Sequence, residues 1–205
     1  MRKVSASPYH GNMKARRLLD RGRLQFFYHS PSSKLPIRDI LNEQGHGWKK
    51  EPYLEKKAEN YCVRCYQVNI RMMKSNRERY LFLFTRCAYK PLKECWGNRC
   101  IVGYLRVRRF EKRWTYKRSR RKYHWAAVGD VRLVRFQDSF PLKDLVGKAS
   151  AAHIRMKCLD PAQTQMLVSF FRKRENVFGQ CLRAIHELKK KLPPGKRRCE
   201  SSSCA

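Results

Sequence analysis

Apolar residues along the chain concentrate in three runs between residues 80 and 136, each bounded by polar or turn-forming residues. The runs are Tyr80–Thr85, Cys100–Val107 and Trp125–Phe136. They are short and rich in β-branched and aromatic residues, a pattern typical of strands rather than helices. Gly129-Asp130 interrupts the third run and predicts a tight turn between two short strands.

Weaker patterns predict the elements on either side of these runs. Alternating apolar and polar residues predict a strand at Tyr61–Ile70, followed by a charged connection. Leu24–Tyr28 predicts another strand. Short helices are predicted at residues 12–20 and 36–45, and a helical turn at Pro141–Gly147.

Two helices are predicted near the C-terminal end of the sequence. Asp160 is a favourable N-cap, and Pro161 suits the first helical position. A second helix is predicted over residues 178–192, because apolar residues recur on one face before Pro193. We expect residues 193–205 to be disordered.

The order of these elements predicts an α+β fold. Strands follow one another without crossover helices, so we expect a small, mostly antiparallel, partly closed β-barrel flanked by helices, with two C-terminal helices. The predicted organisation has a basic arm with helical elements at 1–55 and a β-barrel core at 56–150. A basic hairpin at 105–123 belongs to that core, and a C-terminal helical pair at 151–192 precedes the tail.

The charge balance points to a polyanionic partner. The chain carries 48 Lys and Arg against 16 Asp and Glu, a formal net charge of +32. Such a chain repels itself, and binding to a polyanion relieves the repulsion. Nucleic acid, either RNA or DNA, is the first candidate partner; an acidic membrane surface and simple solubility are the alternatives.

The most basic segment lies between the second and third apolar runs. Leu105–Tyr123 holds ten Lys and Arg and a single acid, Glu111. Cations neutralise phosphates, and aromatic rings can stack on bases. The alternative is a solvated hairpin whose aromatic residues fold back onto the barrel. The predicted nucleic-acid-binding residues are Arg106, Arg108, Arg109, Lys112, Arg113, Trp114, Tyr116, Lys117, Arg118, Arg120, Arg121 and Lys122.

The cysteines offer a weaker hypothesis of a metal site. Cys62 and Cys65 have metal-ligand spacing, but in a strand their side chains would point to opposite faces. Zinc is therefore an alternative to no cofactor, with Cys87, Cys95 and Cys100 as the best ligands. Small buried cysteines are the favoured interpretation.

Residues Tyr61–Leu145 resemble the PUA-like superfamily, the small pseudo-barrels that include EVE, ASCH and YTH domains. The segments that carry the resemblance are 61–68, 80–85, 101–104 and 126–136. The Gly-x-Lys-x-x-Glu-x-Arg signature of ASCH domains is absent. The resemblance implies binding of RNA or of modified bases, with a flipped base held by Trp48, Trp96 and Trp125. For Trp125 core packing is the simpler interpretation.

Three functional hypotheses follow. The first is a nucleic-acid-binding module with a basic groove and an aromatic pocket. The second is a structural subunit of a ribonucleoprotein or nucleic-acid defence complex. The third is a nuclease or base-modifying enzyme, which would need clustered carboxylates. The nine cysteines and the lack of a long apolar run predict a reduced, cytoplasmic protein without a membrane partner.

Overall fold

The computed structural model describes residues 20–37, 53–54, 60–62, 67–117, 120–154 and 156–191. Eight strands, five α-helices and one 3-10 turn at Phe136–Asp138 are assigned within these residues. The strands are β1 Gly22–Phe27, β2 Tyr53–Leu54, β3 Asn60–Cys62, β4 Tyr80–Arg86, β5 Arg99–Lys117, β6 Arg120–Leu133, β7 Phe140–Pro141 and β8 Met156–Leu159. The helices are α1 Gln67–Ser75, α2 Leu142–Val146, α3 Lys148–His153, α4 Pro161–Arg172 and α5 Phe178–Lys190.

All eight strands belong to one sheet, in the order β2-β3-β6-β5-β4-β1-β8, with β7 paired to β5. Every pair is antiparallel except β1 with β4, which are parallel. The α+β class is therefore confirmed. In the part of the chain that is described, the end strands β2 and β8 do not pair with each other, so the sheet is open rather than a closed barrel.

Hydrophobic residues cover both faces of the central sheet. On β4, Leu81 and Leu83 point into one core, while Tyr80, Phe82 and Phe84 point into the other. The first core also contains residues of α1 and α5, and the second contains residues of α4, α2 and α3. Burial on both faces explains why β4 is an almost continuous apolar run instead of an alternating one.

The predicted signals for the C-terminal helices are confirmed. The Asp160 carboxylate accepts a hydrogen bond from the Gln163 backbone N–H at 2.8 Å, and the Gln163 side chain bonds back to the Asp160 N–H at 3.3 Å. This capping box starts α4 with Pro161 at its first position. The following helix, α5, places Cys181, Ile185 and Leu188 in the first core.

The predicted strand at Tyr61–Ile70 is wrong in its second half. Among the described residues of this segment, Asn60–Cys62 is a strand, and Gln67–Ser75 forms α1. Ile70 and Met73 are both fully buried in the first core, at the i, i+3 spacing of one helical face. Met73 belongs to the segment that was interpreted as a charged connection. The helical spacing becomes visible only when this segment is read together with Ile70.

The predicted turn at Gly129-Asp130 is also wrong, because β6 runs unbroken from Arg120 to Leu133. Gly129 serves a close approach between strands instead. A Cβ atom at this position would lie 1.8 Å from the carbonyl oxygen of Arg106 on β5. Only glycine fits there without moving one of the two backbones.

The remaining sequence predictions divide between confirmed elements and elements outside the described residues. Strand β1 and helix α2 occur where they were predicted. The predictions for residues 12–19, 38–45 and 193–205, and those for Trp48 and Cys65, fall outside the described residues. No helix in the described ranges is both long and apolar enough to cross a membrane.

Candidate nucleic-acid interface

The most basic segment forms a long antiparallel hairpin between β5 and β6. Register pairs extend from Gly103↔Leu133 to Lys117↔Arg120. The part near the core has other partners: β4 pairs with β5 as far as Arg106, and β3 pairs with β6 at Ala126–Val128. Residues 99–111 and 126–133 are called the inner half of the hairpin below.

The outer half of the hairpin consists of residues 112–117 and 120–125 and is called the ribbon. Among the described strands, its residues pair only with each other, from Lys112↔Trp125 to Lys117↔Arg120. At about 3.4 Å per residue, its two strands extend about 17 Å past the last pairing with the rest of the sheet. The ribbon therefore extends past the strands with which the inner half pairs.

The ribbon combines positive charge with aromatic residues and has no acid. Its twelve residues contain no Asp or Glu. Its six cationic residues are Lys112, Arg113, Lys117, Arg120, Arg121 and Lys122. Its four aromatic residues are Trp114, Tyr116, Tyr123 and Trp125. Arg118, between the two strands, lies outside the described residues.

A β-bulge at Arg108 sets which ribbon residues share a face. The register shifts between Val107 and Arg109, so Arg108 is an extra residue on β5. Before the bulge, Leu105 and Val107 belong to the first core; after it, Phe110 packs against that core. The β5 residues that face this core are therefore at odd positions just before Arg108 and at even positions after it.

Register pairs divide the ribbon into two chemically different faces, because directly opposed residues lie on the same face. The aromatic face continues the side of Phe110 and Ala127. It carries the pairs Lys112↔Trp125, Trp114↔Tyr123 and Tyr116↔Arg121. The cationic face carries the pairs Arg113↔His124, Thr115↔Lys122 and Lys117↔Arg120. Without the bulge, Trp114 and Tyr116 would lie on the other face of the ribbon from Tyr123 and Trp125.

Two of the predicted binding arginines on the inner half have acidic partners. Arg108 contacts both carboxylate oxygens of Asp130, at 3.0 and 2.5 Å, and both side chains are about half exposed. Arg109 donates to Glu111 at 2.6 Å. Asp130 is thus an ion-pair partner and not a turn residue. Arg106 is exposed on the same part of β5.

The structure does not bring Trp96 and Trp125 together. Trp96 lies in the loop between β4 and β5, where it is 52% exposed beside Gly97. Trp125 pairs with Lys112 in the ribbon. Lys112 is 13 positions after Arg99 on β5, which corresponds to about 40 Å along the strand. Trp125 therefore lies at the base of the ribbon, far along the hairpin from the loop that holds Trp96.

The three cysteines suggested as zinc ligands lie in or against the first core. Cys87 and Cys100 are buried in it, and Cys95 packs against it. Burial raises the pKa of the Cys100 thiol to about 12 and also raises the pKa of Cys87. Within the described ranges, no three His, Cys, Asp or Glu residues are grouped so as to hold a metal ion.

Comparison of the chain with models of known protein families, with curated proteins and with solved structures gave no match. The functional argument therefore depends on the chemistry of the hairpin itself.

Proposed function

We propose that this protein binds nucleic acid and that the ribbon is its principal contact. The observation that carries the proposal is the charge of the ribbon: six Lys and Arg and no acid among twelve residues. These residues lie on a two-stranded element that extends past the paired sheet. A projecting element can reach a polyanion without displacing any of the core.

The contrast with the inner half supports this location. There, Arg108 and Arg109 have the carboxylates of Asp130 and Glu111 as partners. The ribbon has no such carboxylate in its own sequence. Phosphates would supply the missing negative charge, and the released counterions would make the binding steeply salt-dependent.

A charge-matched pair of variants tests whether the ribbon or the total charge is responsible. In the ribbon variant, Lys117, Arg120, Arg121 and Lys122 are replaced by Gln. In the control variant, the exposed residues Lys143, Lys148, Lys157 and Lys173 are replaced by Gln. Both variants lose four positive charges. Full-length, nuclease-treated proteins are titrated with labelled RNA and DNA oligonucleotides at several salt concentrations.

We expect the ribbon variant to bind much more weakly, with a log–log salt slope reduced by about 0.7–0.9 for each phosphate that is no longer neutralised. The control variant should retain most of the affinity and the slope. Equal weakening in both variants would mean that only the overall charge acts. In that case a scaffolding role within a larger nucleoprotein complex becomes the better explanation.

The architecture and cellular location form a further part of the proposal. The sequence resemblance leads us to propose that residues 61–145, which include β4, β5 and β6, form a PUA-like unit in a cytoplasmic protein. What supports the PUA-like unit is the consecutive antiparallel pairing of these strands. An experimental structure in which these strands curl into a partly closed barrel is the expected result, and a flat, open sheet throughout would contradict it.

A further inference from the structure

We propose that the aromatic face of the ribbon binds the unpaired bases of a single-stranded nucleic acid, RNA or DNA, by stacking. This inference depends on the proposed nucleic-acid binding and names the class of nucleic acid that is bound. The juxtaposition that carries it is a set of three register pairs, Lys112↔Trp125, Trp114↔Tyr123 and Tyr116↔Arg121.

The composition of this face is the first argument. Four of its six residues are aromatic, and the other two, Lys112 and Arg121, are cations at diagonally opposite corners. Rings stack on bases whatever the base identity, and flanking cations pair with the phosphates of the same strand. In a duplex, the face of each base is already covered by its neighbours, so a stacking surface selects unpaired bases.

The spacing of this face is the second argument. Successive residues on one face of a strand are about 6.8 Å apart. Stacked nucleotides rise about 3.4 Å each, so the wider spacing of the pairs suits bases that are unstacked from one another, as stacking on the rings requires. The three pairs therefore suit a short single strand that lies along the ribbon.

The bulge at Arg108 is the third argument, because it is what assembles the face. Continued alternation from Leu105 and Val107 would place Arg113, Thr115 and Lys117 on the side of the first core. The extra residue exchanges this set for Lys112, Trp114 and Tyr116. The exchange brings the aromatic residues of β5 onto the same face as Tyr123 and Trp125.

The test compares substitutions on the two faces of the full-length protein. The variant Trp114→Leu/Tyr123→Leu removes both rings of the central pair but no charge. The variant Trp114→Phe/Tyr123→Phe keeps a ring at each position. Arg113→Gln/Lys122→Gln removes two charges from the cationic face. Each is titrated against a matched single strand and duplex, in both RNA and DNA, and thermal melting checks the fold.

We expect the Leu variant to bind single strands about tenfold or more weakly, with an unchanged salt slope, because stacking is lost and charge is not. The Phe variant should bind like the unmodified protein. The cationic-face variant should have a smaller salt slope for every nucleic acid. The RNA and DNA arms then show which of the two sugars is preferred.

The inference is overturned if the Leu variant binds single strands as tightly as the unmodified protein while the charge variant binds less tightly. It is also overturned if duplex is preferred, or if the Leu variant loses stability but no affinity, because the rings would then serve packing. In each of these cases the proposed nucleic-acid binding still stands. If the unmodified protein binds no nucleic acid at low salt, both proposals fail together.

Discussion

The two halves of the β5–β6 hairpin are continuous in backbone but different in what surrounds them. The inner half pairs with β4 and β3, and Asn176 covers part of its remaining edge by bonding the Leu133 N–H and the Val131 carbonyl, at 3.1 and 3.2 Å. Its apolar residues enter both hydrophobic cores. The ribbon has only its own cross-strand pairing among the described strands.

If the ribbon binds nucleic acid as proposed, stability and binding depend on different parts of one hairpin. Free energy of unfolding depends on burial and on satisfied polar groups, and both are concentrated in and around the inner half. Affinity for a polyanion depends on positive charge, and the ribbon carries six Lys and Arg with no acid in its own sequence. Changes in the inner half should therefore alter stability, whereas changes in the ribbon should alter binding.

The largest loss of stability is expected from the buried ion pair between Arg23 on β1 and Glu78. Two hydrogen bonds of 2.8 Å join their side chains, which are 4% and 3% exposed. Glu78→Gln leaves the buried guanidinium uncompensated, at a cost of about 3–5 kcal/mol. Asp130→Asn breaks the similar but exposed pair with Arg108 and should cost about 1 kcal/mol or less. Urea unfolding of both variants checks this; equal losses would contradict it.

A smaller loss is expected when the close approach of the two strands is blocked at Gly129. Gly129→Ala places a methyl group against the Arg106 carbonyl, so one backbone has to move, at a cost of about 1–3 kcal/mol. Gly179→Ala is the control, because its Cβ meets nothing closer than 3.9 Å inside α5. That change should stabilise the helix by about 0.5–1 kcal/mol. Chemical denaturation should give opposite signs for the two substitutions.

Alkaline pH should lower the free energy of unfolding through ionisation of Cys100 on the inner half of the hairpin. Its folded pKa is raised by burial from 9.0 to about 12. The unfolded chain loses this proton first, so stability is fully present below about pH 9 and falls as pH rises towards 12, by at most about 1.4 kcal/mol per pH unit. Cys100→Ala should flatten this part of the stability profile, while Cys158→Ala, at an exposed position, should leave it unchanged. Parallel profiles for all three proteins would contradict the prediction.

The smallest change in stability is expected when the ribbon is removed entirely. Glu111 and Ala126 are register partners, so an Asn-Gly turn in place of residues 112–125 can close the hairpin. The free energy of unfolding should change by about 1 kcal/mol or less, because these residues share no pairing with β4 or β3. Unfolding of the shortened protein would show instead that the ribbon supports the core.

The sequence predicts the inner half far better than the arrangement of the ribbon. Tyr80–Thr85 reads as a strand because burial on both faces makes it continuously apolar, and Asp160-Pro161 marks a helix start by local chemistry. The segment at 67–70 is short enough to fit both the two-residue period of a strand and the 3.6-residue period of a helix. The structure has a helix there, with Ile70 and Met73 in the first core. Strand β8 was missed because three of its four residues are exposed and it has no alternation of buried and exposed positions.

In the candidate site, the sequence predicts the charge and the aromatic residues but not their distribution between faces. That distribution depends on the bulge at Arg108. A count that assumes strict alternation along β5 assigns every residue after the bulge to the wrong face. The one signal in the sequence was Gly129, a glycine within an apolar run, which can mark either a turn or a bulge. The ion pairs of Arg108 and Arg109 also depend on this local geometry.

The most direct test of the account is to map where a nucleic acid touches the full-length protein. A photoreactive single-stranded oligonucleotide is bound at moderate salt and irradiated, and the crosslinked peptides are identified by mass spectrometry. If the ribbon is the principal contact, the crosslinks will be concentrated between residues 112 and 125. Crosslinks concentrated instead at the opposite end of β5, around the exposed Trp96, would contradict it.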